Sequence, residues 1–274
     1  MAVWKCTKAE LAAALSGIVE KMPLYLPVEK TAGVTAYKRY AEGDVYSDAI
    51  RGARSPKELF FPQTEDLVKF KTEGKKIEII DPRTPGEDFA VFGVHGCDLQ
   101  ALKVLDRVFL SDPADSYYAD RRKHGIHVTM SCAKPTETCF CGSFGVDPSS
   151  PDGDVRCTAT SDGYLWETLT EKGESLLSGI PALSPAGEDA EKEGKEAKEK
   201  IRARMQRLPL ASLSTAPFGK GKTETYFDDP CWETLSRSCI GCGSCTFVCP
   251  TCQCYDIRDF ETGSGVVRYR CWDS

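Results

Sequence analysis

Long hydrophobic runs are missing from this sequence: no apolar stretch approaches the ~20 residues that a membrane-spanning helix needs. A surplus of basic charge is missing too. The 35 Lys and Arg stand against 41 Asp and Glu, a formal net charge of −6, which argues against nucleic acid as the main partner. There is no G-x-G-x-x-G, so the sequence offers no dinucleotide site. The nearest thing to a phosphate loop is Ala216-Pro217-Phe218-Gly219-Lys220-Gly221-Lys222-Thr223. It lacks the first glycine, carries a proline and follows no buried strand. With 3 histidines in 274 residues and no legible Ser-His-Asp or paired-carboxylate arrangement, no residue qualifies as catalytic. No internal repeat is present. The N-terminus has neither the continuous apolar core nor the cleavage site of a signal peptide. Instead Thr7-Lys8-Ala9-Glu10 has the form of a capping box ahead of Leu11, Leu15, Ile18 and Val19, the start of an amphipathic helix. These absences predict a cytoplasmic chain.

Cysteine, by contrast, is abundant, with 14 residues. In a reducing compartment a disulfide framework is not expected, and metal or redox chemistry becomes the default. The placement agrees. Cys239, Cys242, Cys245, Cys249, Cys252 and Cys254 crowd into one short segment, and Cys132, Cys139 and Cys141 into another. Cys6, Cys157 and Cys231 are scattered, as structural cysteines would be.

The chain divides into three stretches. Residues 1–174 read as an α/β domain. Lys76–Ile80 has the pattern of a strand, and Phe89–Val94 is a continuous apolar run of the kind found in a strand buried on both faces. A helix is expected from Asp98 as N-cap, with Leu99, Leu102, Leu105 and Phe109 near helical spacing. A second helix over Asp115–Lys123 and a strand over Ile126–Met130 would complete a parallel crossover unit. Residues 175–227 hold a charged helical segment (188–206), read as solvated and laced by Glu191/Lys195 and Glu196/Lys200 pairs, and then a linker. Residues 228–274 form a small, cysteine-rich domain closing in a hairpin, Tyr255–Phe260 with Val266–Cys271.

Within that last domain, Cys239-Ile240-Gly241-Cys242-Gly243-Ser244-Cys245-Thr246-Phe247-Val248-Cys249-Pro250 fits C-x2-C-x2-C-x3-C-P at every position. Thiolates two residues apart line one tight loop, so a short backbone segment can hold three corners of a 4Fe–4S cubane. Gly241 and Gly243 let that backbone pass close to the cluster and present amides to its sulfides. The four candidate ligands are Cys239, Cys242, Cys245 and Cys249. In two-cluster ferredoxins the cysteine before the proline ligates the other cluster, so the first three need a fourth partner. Cys252, Cys254 and Cys271 are the nearby candidates. The alternative is a zinc site built from Cys239, Cys242, Cys249 and Cys252, although six residues between the pairs is short for a zinc ribbon.

A second set lies in the α/β domain. Cys97 follows the strand ending at Val94 and Cys132 the strand ending at Met130. In a parallel sheet both fall at the carboxyl edge, where ligands gather. Cys139 and Cys141 follow in the next loop, so four thiolates, Cys97, Cys132, Cys139 and Cys141, can converge on a second iron–sulfur cluster. A helix N-terminus at that edge would favour the anionic group. The plainer reading is that these are small buried side chains. His95, beside Cys97, could orient or ligate a cluster, though a satisfied loop histidine is the favoured reading; His124 and His127 flank a strand start.

With these motifs assembled, the chain resembles the dicluster 4Fe–4S ferredoxin-type beta subunits of soluble sulfhydrogenases and the A subunit of anaerobic sulfite reductases. The resembling stretches are Gly93–Leu102, Ser131–Gly142 and Cys239–Ile257, with Cys249-Pro250-Thr251-Cys252-Gln253-Cys254 especially alike. The resemblance implies a small ferredoxin-like iron–sulfur domain behind the α/β domain. It also implies a cytoplasmic electron-transfer subunit of an anaerobic oxidoreductase. Such a subunit relays electrons between a flavin-containing NAD(P)H-binding subunit and a catalytic redox subunit of hydrogenase or sulfite-reductase type. Members of that family continue past the Arg270-Cys271-Trp272 region to a second cysteine motif, whereas this sequence stops at Ser274, which leaves the fourth ligand of the first cluster open. Two other readings stand beside this one: a self-contained iron–sulfur reductase, and a zinc-stabilised assembly subunit without redox activity.

Overall fold

The computed structural model describes residues 2–49, 52–219 and 221–273; Lys220, within the glycine-containing loop weighed above, lies outside them. The N-terminal strand β1 (Val3–Thr7) leads into α1 (Leu11–Val19). The capping box forms: the Thr7 amide donates to Glu10 Oε2 at 2.8 Å and the Glu10 amide to Thr7 Oγ1 at 3.3 Å. There follow β2 (Leu24–Thr31), β3 (Val34–Arg39), β4 (Thr64–Glu73), β5 (Lys76–Ile80) and β6 (Phe89–Val94). Next come α2 (Gly96–Phe109), α3 (Ser116–His124), β7 (Gly125–Met130), β8 (Val155–Ala159) and β9 (Gly163–Thr168). The chain continues with α4 (Glu171–Leu177), β10 (Ser184–Pro185), α5 (Glu188–Met205), α6 (Cys231–Ser236), α7 (Ser244–Val248), β11 (Tyr255–Glu261) and β12 (Gly265–Trp272).

The fold is mixed α/β with two sheets. The larger has the order β10-β1-β9-β8-β7-β6-β2-β3. Its centre, β2, β6, β7 and β8, is parallel, and the flanking pairs are antiparallel. The expected crossover is present, with α2 and α3 carrying the chain from β6 to its parallel neighbour β7. Both faces of this sheet are covered, which is why β6 reads as an unbroken apolar run. On one side Phe92 joins Leu15, Ile18, Val128, Trp166 and Leu176. On the other Val91 and Val94 pack with Leu99, Leu102, Leu105 and Phe109 of α2, together with Phe60, Phe61 and Tyr118.

Two local expectations are corrected. Helix α2 begins at Gly96, with His95 as its N-cap residue, so Asp98 sits inside the first turn instead of capping it. Gly96 permits the earlier start: a Cβ there would meet Val146 Cγ1 at 2.9 Å and Pro151 Cβ at 3.2 Å. The charged segment is indeed a helix, α5, but not solvated all round. Gly194 and Ile201 are buried on one face, and Lys198 reaches Glu167 of β9 at 2.5 Å. Acidic residues in its first turn and Arg202 and Arg204 in its last suit the helix dipole.

The second sheet, β11-β12-β4-β5, is antiparallel throughout. The C-terminal hairpin thus finds its partner in β4 and β5, far back in the sequence. Arg270 of β12, only 2% exposed, locks this junction. Its Nε donates to Glu65 Oε2 at 2.8 Å, and its terminal nitrogens pair with Glu65 and Asp115. The guanidinium also lies 5.1 Å from the Phe61 ring centroid and 5.4 Å from that of Tyr255. Removing one partner of a buried ion pair strands the other charge, at a cost of about 3–5 kcal/mol. Arg270→Ala should therefore lower the unfolding free energy by about that amount, read as a fall in the urea midpoint; a change below about 1 kcal/mol, typical of a surface pair, would show that the junction does not depend on this charge.

Candidate iron–sulfur centres

The parallel register sets Val94 of β6 opposite Thr129 of β7, so the residues that follow each strand emerge side by side at the carboxyl edge. Cys97 stands in the first turn of α2. Cys132 follows β7 and is buried, its amide donating to Pro148 O at 2.8 Å. The loop after it returns over the same edge with Cys139 and Cys141, both half-buried. Cys139 Sγ accepts from the Thr136 amide at 3.3 Å, a contact that also suits a thiolate. The four thiols lie within electrostatic reach of one another. Cys97 donates to Cys141, which holds the Cys97 thiol well above its ordinary value and draws that of Cys141 below it. Burial, reinforced by Cys139 and Cys141, pushes Cys132 up to about 12. Cys97, Cys132 and Cys141 thus act on one another electrostatically, and Cys139 acts on Cys132.

The histidines differ from expectation in detail. His95 is buried, 3.9 Å from Asp98 Oδ2, and burial lifts Asp98 to about 6. His127 lies within β7, buried, stacked on Phe60 with 5.2 Å between centroids and 3.1 Å from Arg122; it belongs to the packing of the sheet. Cys6 and Cys157 are core residues, and the Trp166 indole donates to Cys6 Sγ at 3.3 Å.

In the C-terminal segment Cys239 and Cys242 are exposed on one loop, Cys245 is exposed in α7 and Cys249 is half-buried at its end. Gly241 and Gly243 have φ of 68° and 71°, the left-handed region that a Cβ disfavours. These turns fold the loop about its sulfurs. The Gly241 amide donates to Cys239 Sγ at 3.4 Å, and Cys242 Sγ lies 3.3 Å from Ser244 Oγ. Cys249 Sγ lies 3.2 Å from Thr251 Oγ1. Burial acts to raise Cys249, but hydrogen bonds from Thr251 and Cys252 outweigh it and lower the thiol, while Cys252 is pushed up to about 11 by burial and by donating to Cys249. Such a set of thiols with amide and hydroxyl donors fits a thiolate-ligated iron–sulfur cluster. Among the described residues, no three His, Cys, Asp or Glu side chains are gathered tightly about one point, in either cysteine set.

Sequence reasoning missed what stands behind this loop. Lys57, 3% exposed, donates from Nζ to the carbonyls of Cys249 at 2.9 Å and Cys252 at 3.2 Å. It also lies 3.8 Å from the Trp272 ring centroid. Its local signal, Ser55-Pro56 opening a capped turn, says nothing of a contact nearly two hundred residues away. A cavity of about 250 Å³ is lined by residues close in sequence to both cysteine sets. His95 and Asp98 line one wall, Val248 and Pro250 another, and Arg54 and Tyr37 complete it.

Residues 238–274 match the family model described as 4Fe-4S dicluster domain. Sulfhydrogenase 2 subunit beta of Pyrococcus furiosus is 33% identical over 229 residues, which cover 83% of this chain and 65% of that protein. The resemblance carried by the cysteine motifs is thereby borne out for a sulfhydrogenase beta subunit, of whose length this chain spans just under two thirds. No solved structure matches. Among the described residues, no helix is long and apolar enough to cross a membrane.

Gly241 offers a direct test of the loop. Its surroundings are open, with nothing within 4 Å of an added Cβ, so Gly241→Val acts through backbone strain alone, about 1–2 kcal/mol. The variant should keep its circular dichroism but release iron to a chelator several-fold faster than the parent chain; equal release would mean that the loop holds its shape without the glycine.

Proposed function

We propose that this chain is an iron–sulfur electron-transfer subunit of a multi-subunit oxidoreductase. One cluster site is assigned to Cys239, Cys242 and Cys245 with a fourth ligand beyond that triad. Cys249 serves a cluster in the same domain, and Cys97, Cys132, Cys139 and Cys141 form a separate site in the α/β domain. The relay would run between a flavin-containing NAD(P)H-binding subunit and a catalytic redox subunit. The sulfhydrogenase relative supports the second of these as hydrogenase-like.

The observation that carries the reading is the common cavity. His95 and Asp98, which flank Cys97, and Val248 and Pro250, which flank Cys249, face the same small space. Two thiolate sets whose neighbours line one gap suit a chain of redox centres better than two unrelated structural sites would. A bound 4Fe–4S cluster takes up and returns one electron without breaking a bond. The protein's part is to hold the thiolates, to aim amide and hydroxyl donors at their sulfurs and to limit solvent, and these set the potential. Cys132 is buried and Cys139 and Cys141 half-buried, with only Cys97 of that set exposed, whereas Cys239, Cys242 and Cys245 are all exposed; this difference in solvent access should separate the two potentials.

Because β12 pairs with β4, the test uses the full chain, prepared anaerobically. Cys139→Ser should lose about four irons per chain and keep the C-terminal signal, as expected for a four-thiolate cubane. Cys242→Ser should lose C-terminal iron and keep that of the quartet. Iron unchanged in Cys139→Ser, with the fold intact, would make the N-terminal cysteines structural. Steady reduction of a substrate by the isolated chain with dithionite alone would replace the relay with a self-contained reductase.

A further inference from the structure

Lys57 is an unusual residue to find in this position. It sits in the short 3-10 turn Pro56–Leu59 of the α/β domain, where its amide donates to the capping Ser55 at 3.3 Å. Its side chain crosses to the C-terminal domain and is sealed in by the Trp272 ring, which in turn packs against Phe247 of the cysteine loop at 5.2 Å. Among the described residues no carboxylate forms an ion pair with it. The nearest acid on its own turn, Glu58, is engaged by Arg54 at 2.9 Å. A buried ammonium satisfied only by two carbonyl oxygens and an aromatic face leaves a net positive charge uncompensated. The groups placed to balance it are the sulfurs of Cys249 and Cys252, whose backbones it holds.

We propose that Lys57 is the buried counter-cation of the cluster that Cys249 ligates, and that its charge raises the reduction potential of that cluster. This rests on the assignment of Cys249 as a ligand. Reduction adds one electron to an already anionic thiolate-ligated cluster, with no proton and no change of ligand. The cluster therefore gains negative charge beside a fixed cation in a region where water screens poorly. Attraction to the ammonium is stronger for the reduced form than for the oxidised one, so the lysine favours the reduced form. The two carbonyl contacts have a second effect: they fix the distance between charge and cluster, because Lys57 and Cys249 cannot move apart without breaking them. A tether without a charge would hold the loop and leave the potential alone.

Potentiometry on the full, anaerobically prepared chain separates these roles, with electrons supplied one at a time by mediator dyes at a poised electrode and the reduced clusters read by electron paramagnetic resonance. The Cys139→Ser background removes any contribution from the N-terminal quartet. Lys57→Met and Lys57→Gln, both uncharged, should shift the midpoint of the C-terminal signal to more negative potential, and Lys57→Arg should leave it close to that of the parent. An unchanged midpoint in both neutral variants overturns the proposal and reduces Lys57 to a tether. Loss of iron or of fold from both neutral variants, with Lys57→Arg intact, overturns it equally, since the charge would then serve assembly. Absence of any iron–sulfur signal in the parent chain defeats the functional reading itself, an outcome distinct from either.

Discussion

The molecule depends on the pairing of β12 with β4, which the buried Arg270 seals. Arg270 and Glu65 are 205 residues apart in sequence, yet the guanidinium, two carboxylates and a surrounding set of aromatic rings make one enclosed cluster. A charge in such a place is stable only while all of its partners are present. The consequence is cooperative. The C-terminal segment has few buried side chains of its own and many exposed apolar ones, among them Ile240, Ile257 and Phe260. Its hairpin takes its order from the α/β domain. The cysteine loop, fastened to that hairpin through Phe247 and Trp272, inherits the same placement.

That placement brings a surface of the α/β domain up to the back of the cysteine loop. Lys57, Arg54 and the aromatic pair Phe247 and Trp272 interleave across the boundary: Arg54 lies 5.3 Å from the Phe247 ring, and Lys57 lies over Trp272. Arg54 is paired with Glu58, whereas Lys57 meets only a π face and carbonyl oxygens, which leaves its charge available to an anionic centre. Flanked by His95 and Asp98 of the small cavity, Cys97 stands in the first turn of α2, where the helix dipole is positive. In the proposed relay a buried lysine stands beside one thiolate set and a helix N-terminus beside the other. Positive potential at both sites is what a protein needs to keep several thiolates ionised and close together.

The stiffness of the quartet has a different origin from that of the loop. Cys97 and Cys132 hang from adjacent parallel strands packed on both faces, so their separation is set by the sheet and its core. Cys139 and Cys141 belong to an irregular loop held by local turns and by the Thr136 contact. The C-terminal loop is shaped by its glycines and by α7, and its outer face is open to solvent. One centre thus rests on the main core and the other on a boundary.

Much of this was legible in the amino-acid order because it is local. The C-x2-C-x2-C-x3-C-P spacing, the capping box of Thr7 and Glu10, the apolar run of β6, the hairpin and the helix of 188–205 are each encoded within a few residues, where spacing alone dictates geometry. The position of Cys97 and Cys132 at one edge followed from the parallel crossover, a rule that needs only the order of elements. The start of α2 was misplaced by three residues because the close approach of Val146 and Pro151 to Gly96 is not local. Nor could sequence pair β12 with β4, bury Arg270 among acids and rings, or put Lys57 behind Cys249. Each of these brings together groups separated by most of the chain, and a lysine or arginine destined for burial carries no mark of it in its own neighbourhood. The sequence by itself determined the cysteine spacing and the local turns that present it; only the tertiary structure decided which charges would stand beside those cysteines, because burial and long-range contact are properties of the packed chain.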